Sequence, residues 1–179
     1  MQTIYLARHA TPDWTRTDIP YFTPPGPPLN AQGELEAAAL GAFLRSAGIG
    51  AIASSPLERC QRTAAIVGNV LGLPFQIDEA LAEWQPREQA ALVGARMQRA
   101  FYGAWEDMAN NGHQAVLLLT HGGPIMELLR QLGMDAQIVE QLRIYDHQNV
   151  APPAGLWQVN RSPDAATWHM HLAFMPQVA

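Results

Sequence analysis

Short apolar runs alternate with longer amphipathic segments along the chain, which is typical of strands and helices that follow one another. The runs are four to seven residues long and bounded by polar or turn-forming residues. Strands are predicted at Thr3–Ala7, Gly50–Ser54, Pro74–Ile77, Gln114–Thr120, Leu156–Val159 and Thr167–Ala173. The last two are expected to form an antiparallel pair around a turn at Asn160–Ala165.

Helices are predicted between these strands from capping residues and apolar spacing. Asn30 fits the N-cap of a first helix, which ends near Gly48. Ser55-Pro56 opens a second helix that continues to Leu71. Two further helices are predicted at Gln89–Asn110 and Ile125–Leu132.

Together these elements predict a single domain over residues 1–179, a three-layer α/β/α sandwich with a mostly parallel central sheet. A chain of 179 residues can bury about 70% of the surface of its unfolded state. Residues 84–113 are expected to include a short lid insertion. In such sheets, ligands bind beyond the carboxyl ends of the strands.

The segment Thr11–Asn30 is predicted to be a loop, because it contains six prolines and one glycine. Loops of this length in compact domains are usually functional. Its aromatic residues Trp14, Tyr21 and Phe22 form either a wall of a binding pocket or a packing cluster.

Composition narrows the class of protein. The chain is 48% apolar and 15% charged, with a net charge of −5, which favours a packed globule and disfavours nucleic-acid binding. The sequence starts without a charged leader and contains no run of about 18 apolar residues. We therefore expect neither a signal peptide nor a membrane-spanning segment. With a single cysteine, Cys60, which we expect to pack as a small apolar side chain, a cytoplasmic protein is predicted.

Reactive residues follow directly after two of the predicted strands. Arg8-His9 follows the first strand, and His121 with Gly122-Gly123 follows Gln114–Thr120. Taken alone, each histidine could be a nucleophile, a base, a metal ligand or a capping residue. Together with Arg59 near the start of the second helix, they outline a phosphate site, since guanidinium forks and helix N-termini bind phosphate oxygens.

Four segments in order resemble the histidine phosphatase superfamily, whose fold is called phosphoglycerate mutase-like. Leu6–Ala10 is similar to its Arg-His-Gly signature, with alanine in place of glycine. Pro28–Gly33 resembles its Pro-Leu-Thr-x-x-Gly helix start, and Ser54–Ala64 its Ser-x-x-x-Arg-Ala-x-Gln-Thr-Ala segment. Thr120–Gly123 matches its second histidine block.

The resemblance implies a role for each matching residue. His9 would be the nucleophile that becomes phosphohistidine. Arg8, Arg59 and His121 would hold the phosphoryl oxygens, with the Gly122 N–H as a helper. Because the arginines supply positive charge, neither a metal nor a cofactor is expected.

The family's general acid is a glutamate shortly after the third strand, which Glu83 matches. Burial near Trp84 would raise its pKa and favour the acid role. Alternatively, Glu83 is a solvated loop carboxylate, and Glu79 or Glu88 takes its place.

Two departures from the family pattern affect the substrate pocket. The Gly-x-Trp-Glu-Gly run after the acid is absent, and residues 85–89 read Gln-Pro-Arg-Glu-Gln. Thr15 stands where an asparagine often lies near the phosphate, so Thr15 is a candidate substrate-binding residue.

The resemblance therefore implies a metal-independent phosphatase for a small phosphorylated substrate. Two alternatives stay open: a protein phosphohistidine phosphatase, and a non-catalytic phosphate-binding or regulatory domain of the same fold. His169-x-His171 has a spacing that can bind metal, but it lacks an evident third ligand, and an ordinary edge strand is the favoured interpretation.

Overall fold

A six-stranded sheet lies at the centre of the protein, whose computed structural model describes residues 2–161 and 167–177. The strands are β1 (Thr3–Arg8), β2 (Ile49–Ser54), β3 (Phe75–Ile77), β4 (Ala115–Thr120), β5 (Leu156–Asn160) and β6 (His169–Phe174). Their order across the sheet is β3-β2-β4-β1-β5-β6. The pairs among β1 to β4 are parallel, and β5 and β6 are added antiparallel, as predicted.

Helices cover both faces of this sheet. They are α1 (Ala31–Leu44), α2 (Glu58–Leu71), α3 (Ala90–Asn111), α4 (Gly122–Gln131) and α5 (Ala136–Gln141). Along β1, Ile4 and Leu6 pack into the core with α3 and α4, whereas Tyr5 and Ala7 pack into the core with α1 and α2. This alternation follows from the two-residue period of a strand and confirms the three-layer sandwich.

The helices differ from the prediction in two starting positions and in one additional helix. The second helix begins at Glu58 rather than at Ser55, and the fourth begins at Gly122, directly after β4, rather than at Ile125. Helix α5 was not predicted, because its six residues are too few for a periodic apolar pattern. The predicted turn at Asn160–Ala165 lies largely outside the described residues.

Residues 84–113 are the segment in which a short lid insertion is expected. Most of this segment is α3, which buries Val93, Met97 and Phe101 in the core. Residues 84–89, 112 and 113 of this segment lie outside the helix. Within residues 2–161 and 167–177, no helix has the length and apolar composition needed to span a membrane.

The proline-rich loop is tied to the domain at both ends. Pro12 and Leu29 form an isolated antiparallel bridge, and Asn30 N donates to the carbonyl of Thr11 at 3.1 Å. Glu36 of α1 accepts hydrogen bonds from the backbone N–H and hydroxyl of Thr11. Asn30 caps α1 as predicted, since its side chain accepts from Gly33 N at 2.8 Å.

We predict that Gly33→Ala destabilises the protein by about 2 kcal/mol or more, because the added Cβ would collide with the carbonyl oxygen of Thr11. The matched control is Gly103→Ala in α3, where a Cβ meets nothing within 4 Å. That change should stabilise by roughly 0.5–1 kcal/mol through helix propensity. Urea unfolding of both variants tests the pair, and equal effects at the two sites would contradict the close approach.

Candidate active site

The register of β1 and β4 brings the two histidines together. Arg8 pairs with Thr120, so His9 and His121 leave the sheet side by side at its carboxyl edge. The backbone N–H of His9 donates to the carbonyl of Thr120 at 3.0 Å. The two imidazole centroids lie 5.1 Å apart with an interplanar angle of 60°.

His9 is held as a neutral imidazole in one tautomer. Its Nδ1 lies 2.8 Å from the carbonyl oxygen of Ala10, and because a carbonyl only accepts, Nδ1 carries the proton. Burial, followed by the positive charges of Arg59 and Arg8 and by His121, lowers the pKa of His9 well below its ordinary value. The lone pair therefore resides on Nε2.

His121 is oriented by a hydrogen bond at each ring nitrogen. Its Nε2 lies 2.8 Å from the Ser55 hydroxyl, and its Nδ1 lies 3.2 Å from Oε2 of Glu83. Burial lowers the pKa of His121, an effect that outweighs the opposing attraction of Glu83. A neutral His121 that donates from Nδ1 to the carboxylate accepts the Ser55 proton at Nε2.

Arg59 is fully buried in the first turn of α2 and links three parts of the site. Its Nη1 donates to the carbonyl of Tyr21 at 2.9 Å, and its Nη2 lies 3.3 Å from Glu83 Oε2 and 3.3 Å from His121 Nδ1. The Tyr21 ring covers the guanidinium at 4.1 Å. The proline-rich loop therefore helps to form this site.

Arg8 is also buried, but its terminal nitrogens already have acceptors. Nη1 and Nη2 donate to the two carboxylate oxygens of Asp146 at 2.6 and 2.8 Å. Nη1 also donates to the carbonyl of Ala151 at 2.9 Å. This bidentate geometry fixes the plane of the guanidinium.

The Nε atoms of Arg8 and Arg59 are buried and have no hydrogen-bond partner within the described part of the chain. Buried donors are nearly always satisfied, and leaving one unpaired costs about 1–3 kcal/mol. Two such donors on two cations, both close to His9, match an anion with several oxygen atoms.

Glu83 lies within the cluster, as predicted for the acid. It is 9% exposed, and its Oε1 accepts the backbone N–H of Trp84 at 2.9 Å. Burial raises its pKa, but the combined attraction of His121, Arg59 and the Trp84 N–H outweighs burial and lowers it to about 2. The expectation of a raised pKa was therefore wrong, because it counted burial without Arg59 and the hydrogen bonds that the carboxylate accepts.

The competing carboxylates lie elsewhere. Glu79 is exposed, and Glu88 forms an ion pair with Arg96 at 2.8 Å. Thr15 is exposed too, and its hydroxyl donates to Asp13 at 2.6 Å, so none of its hydrogen bonds reaches the cluster. The structure thus brings together five of the candidate residues and leaves Thr15 on the surface.

Gly122 begins α4 beside His121, and a Cβ there would collide with the side chain of Asn149. A larger residue at this position would therefore require the side chain of Asn149 to move. Cys60 is fully buried, and burial raises the pKa of its thiol to about 12, which fits the predicted packing role.

One group of side chains in the described residues has the spacing of metal ligands, namely His9, Glu83 and His121, whose ligand atoms lie within 4.8 Å of one another. Arg59 contacts two of these three residues, and its positive charge would repel a cation. His169 and His171 are exposed on β6 and are not part of this group. The arrangement suits an anion better than a metal ion.

Two contributors were missed by sequence reasoning. Ser55 was interpreted as a helix opener, although it orients His121. Asp146 is 138 residues from Arg8 in the chain and lies in a tight turn at Asp146–Gln148, so no local pattern connects them.

Comparisons with known proteins identify the family to which the sequence is similar. Residues 4–90 match the model of the histidine phosphatase superfamily (branch 1). The uncharacterized phosphatase PhoE of Bacillus subtilis is 36% identical over 158 aligned residues, covering 74% of this chain and 78% of PhoE.

Solved structures share the fold at lower identity. A mycobacterial glucosyl-3-phosphoglycerate phosphatase in complex with VO3 superposes with a TM-score of 0.76 at 19% identity, covering 98% of this chain and 99% of that one. A phosphoglycerate mutase from Bacillus anthracis gives a TM-score of 0.77 at 15% identity, covering 96% and 92%. The phosphoglycerate mutase-like fold predicted from the sequence is thus confirmed.

We predict that the free energy of unfolding decreases as the pH falls below about 6.5. The pKa of His9 is lower in the folded than in the unfolded chain, so the unfolded chain binds more protons in this range. Urea unfolding of the wild type and of His9→Gln between pH 7 and 5 tests this, and the variant should show the shallower decrease.

The internal control is the range from about pH 8 to 9, where His9 is neutral in both states. There, the two proteins should have parallel pH dependences. Equal slopes below pH 6.5 as well would show that His9 is not held neutral.

Proposed function

Because the chain belongs to the histidine phosphatase superfamily, we propose that it hydrolyses a phosphomonoester through a phosphohistidine intermediate on His9. The phosphatase names of relatives such as PhoE support a hydrolase that acts on a small phosphorylated substrate.

The observation that carries this proposal is the pair of buried, unpartnered Nε donors of Arg8 and Arg59 close to a neutral His9. Phosphoryl transfer needs mainly positioning and electrostatic stabilisation, and two fixed, buried guanidiniums supply both. No metal ion is needed for this role.

In the first step, Nε2 of His9 attacks the phosphorus atom, and the bond from phosphorus to the ester oxygen breaks. Nδ1 keeps its proton and its hydrogen bond to Ala10, so the ring stays aligned while it gains positive charge. In the second step, water attacks the phosphohistidine and releases inorganic phosphate and the free imidazole.

Glu83 delivers the proton that the leaving oxygen needs. A bound phosphate brings negative charge next to the carboxylate and competes for Arg59, and both effects raise the pKa of Glu83 from its low value. Substrate binding thereby favours the protonated form of Glu83, which can act as the general acid. After transfer, the carboxylate accepts a proton from the attacking water.

The first prediction concerns the nucleophile. Wild-type protein should hydrolyse p-nitrophenyl phosphate at pH 5 to 7 with EDTA present, and His9→Ala should lose this activity. The control is His171→Ala, which removes an exposed histidine and should keep full turnover.

Rapid quenching with labelled substrate should trap an acid-labile phosphoryl group on wild type but not on His9→Ala. Turnover that persists in His9→Ala would exclude the mechanism. Phosphate binding without any turnover would instead identify a non-catalytic domain.

The second prediction concerns the acid. Glu83→Gln should lower kcat by roughly 10²–10⁴-fold for an alkyl phosphate, since that leaving group must be protonated. The loss should be much smaller for p-nitrophenyl phosphate, whose leaving group departs readily as an anion. Glu79→Gln is the matched control on an exposed carboxylate, and equal losses with both substrates would contradict the acid role.

A further inference from the structure

The contact between Arg8 and Asp146 occupies a guanidinium that the proposed reaction needs. Both terminal nitrogens of Arg8 are bound by one carboxylate, in the bidentate geometry that a phosphoryl group would also adopt. Arg8 is 2% exposed and Asp146 38% exposed, so the carboxylate approaches the buried cation from the solvent side.

Asp146 is fixed by its own turn. The Asn149 amide donates to the Asp146 carbonyl at 2.8 Å, and Arg143 Nε donates to the carbonyl of Gln148 at 3.1 Å. On the other side, the ring of His147 lies 5.2 Å from that of Trp14 in the proline-rich loop. The carboxylate is therefore held over Arg8 by contacts that do not involve Arg8.

The charges of the site cancel because of this residue. Arg8 and Arg59 are positive, Glu83 and Asp146 are negative, and burial keeps His9 and His121 neutral at pH 7. Without Asp146 the same group would carry one net positive charge. The carboxylate of Asp146 thus weakens the electrostatic attraction between the site and a phosphate dianion.

We propose that Asp146 is a positioning residue that aligns Arg8 and competes with phosphoryl oxygens for its guanidinium, which weakens phosphate binding and favours product release. The inference rests on the proposed function, because it assigns the Arg8 guanidinium to the phosphoryl group. The Nε donor of Arg8 stays available to phosphate, whereas its two Nη atoms are shared with the carboxylate.

Asp146→Asn separates the two effects of this side chain. The amide oxygen can still accept a hydrogen bond from Arg8, but the negative charge beside the phosphate site is gone. In the wild type, the negative charge of Asp146 repels the negative charge of a bound phosphate. We expect the variant, which lacks this repulsion, to bind inorganic phosphate about tenfold more tightly.

The test is titration calorimetry with inorganic phosphate on wild type and Asp146→Asn, together with steady-state kinetics on p-nitrophenyl phosphate. The variant should bind phosphate about tenfold more tightly, with a lower KM and no increase in kcat. Asp146→Glu keeps the charge and should bind phosphate like the wild type.

The matched control is Glu34→Gln, which removes the carboxylate from another bidentate pair, that with Arg62 on the surface of α1 and α2. This change should leave phosphate affinity and KM unaltered. Asp146→Ala serves as a second neutral variant, so that the test can still be made if Asp146→Asn does not fold. It should also bind phosphate more tightly than wild type.

Unchanged or weaker phosphate binding by the neutral variants, with wild-type turnover intact, would overturn the inference and leave Asp146 as a mere support for Arg8. A wild type that neither binds phosphate nor hydrolyses p-nitrophenyl phosphate would overturn the proposed function itself, and this inference with it. The two failures are therefore distinguishable.

Discussion

The structure depends on the parallel pairing of β1 with β4. Their register places Arg8 opposite Thr120. The next residue of each strand, His9 and His121, therefore lies at the same edge of the sheet. Both strands are buried along their whole length, with apolar side chains on either face. A shift of one residue would exchange the apolar side chains that face α3 and α4 with those that face α1 and α2. Because these side chains differ in size and protein interiors are close-packed, the packing that stabilises the sandwich also fixes the register and with it the imidazole pair.

Burial of charge is the second constraint, and it explains why the site is so densely connected. Arg8 and Arg59 lie beneath the surface, where an uncompensated cation is strongly unfavourable. Each is stabilised by a carboxylate and by a backbone carbonyl, and the carboxylate of Glu83 in turn orients His121. The groups that neutralise the arginines therefore also set the protonation of their neighbours.

Much of this organisation could be predicted from the sequence. The strand pattern, the cap at Asn30 and the positions of His9 and His121 could be predicted from local patterns in the sequence. Glu83 was predicted from the resemblance to the family. The sign of the Glu83 pKa shift could not be predicted, because it depends on distances to His121 and Arg59 across the fold. The contribution of Asp146 could not be predicted either, because this residue contacts Arg8 from a turn 138 residues away. Thr15 was a candidate from the family pattern, and its hydroxyl donates to Asp13 instead of to the site.

The hydrogen bond from Arg59 to the carbonyl of Tyr21 connects the proline-rich loop to the candidate active site. The loop that borders the pocket also supplies one of the acceptors of the buried arginine, so it is not an interchangeable surface segment. If the proposed function holds, exchanging this loop for that of a relative to change the range of leaving groups would also change the hydrogen bonding of Arg59. Loop variants designed for leaving-group selectivity would then have to be screened for phosphate affinity as well.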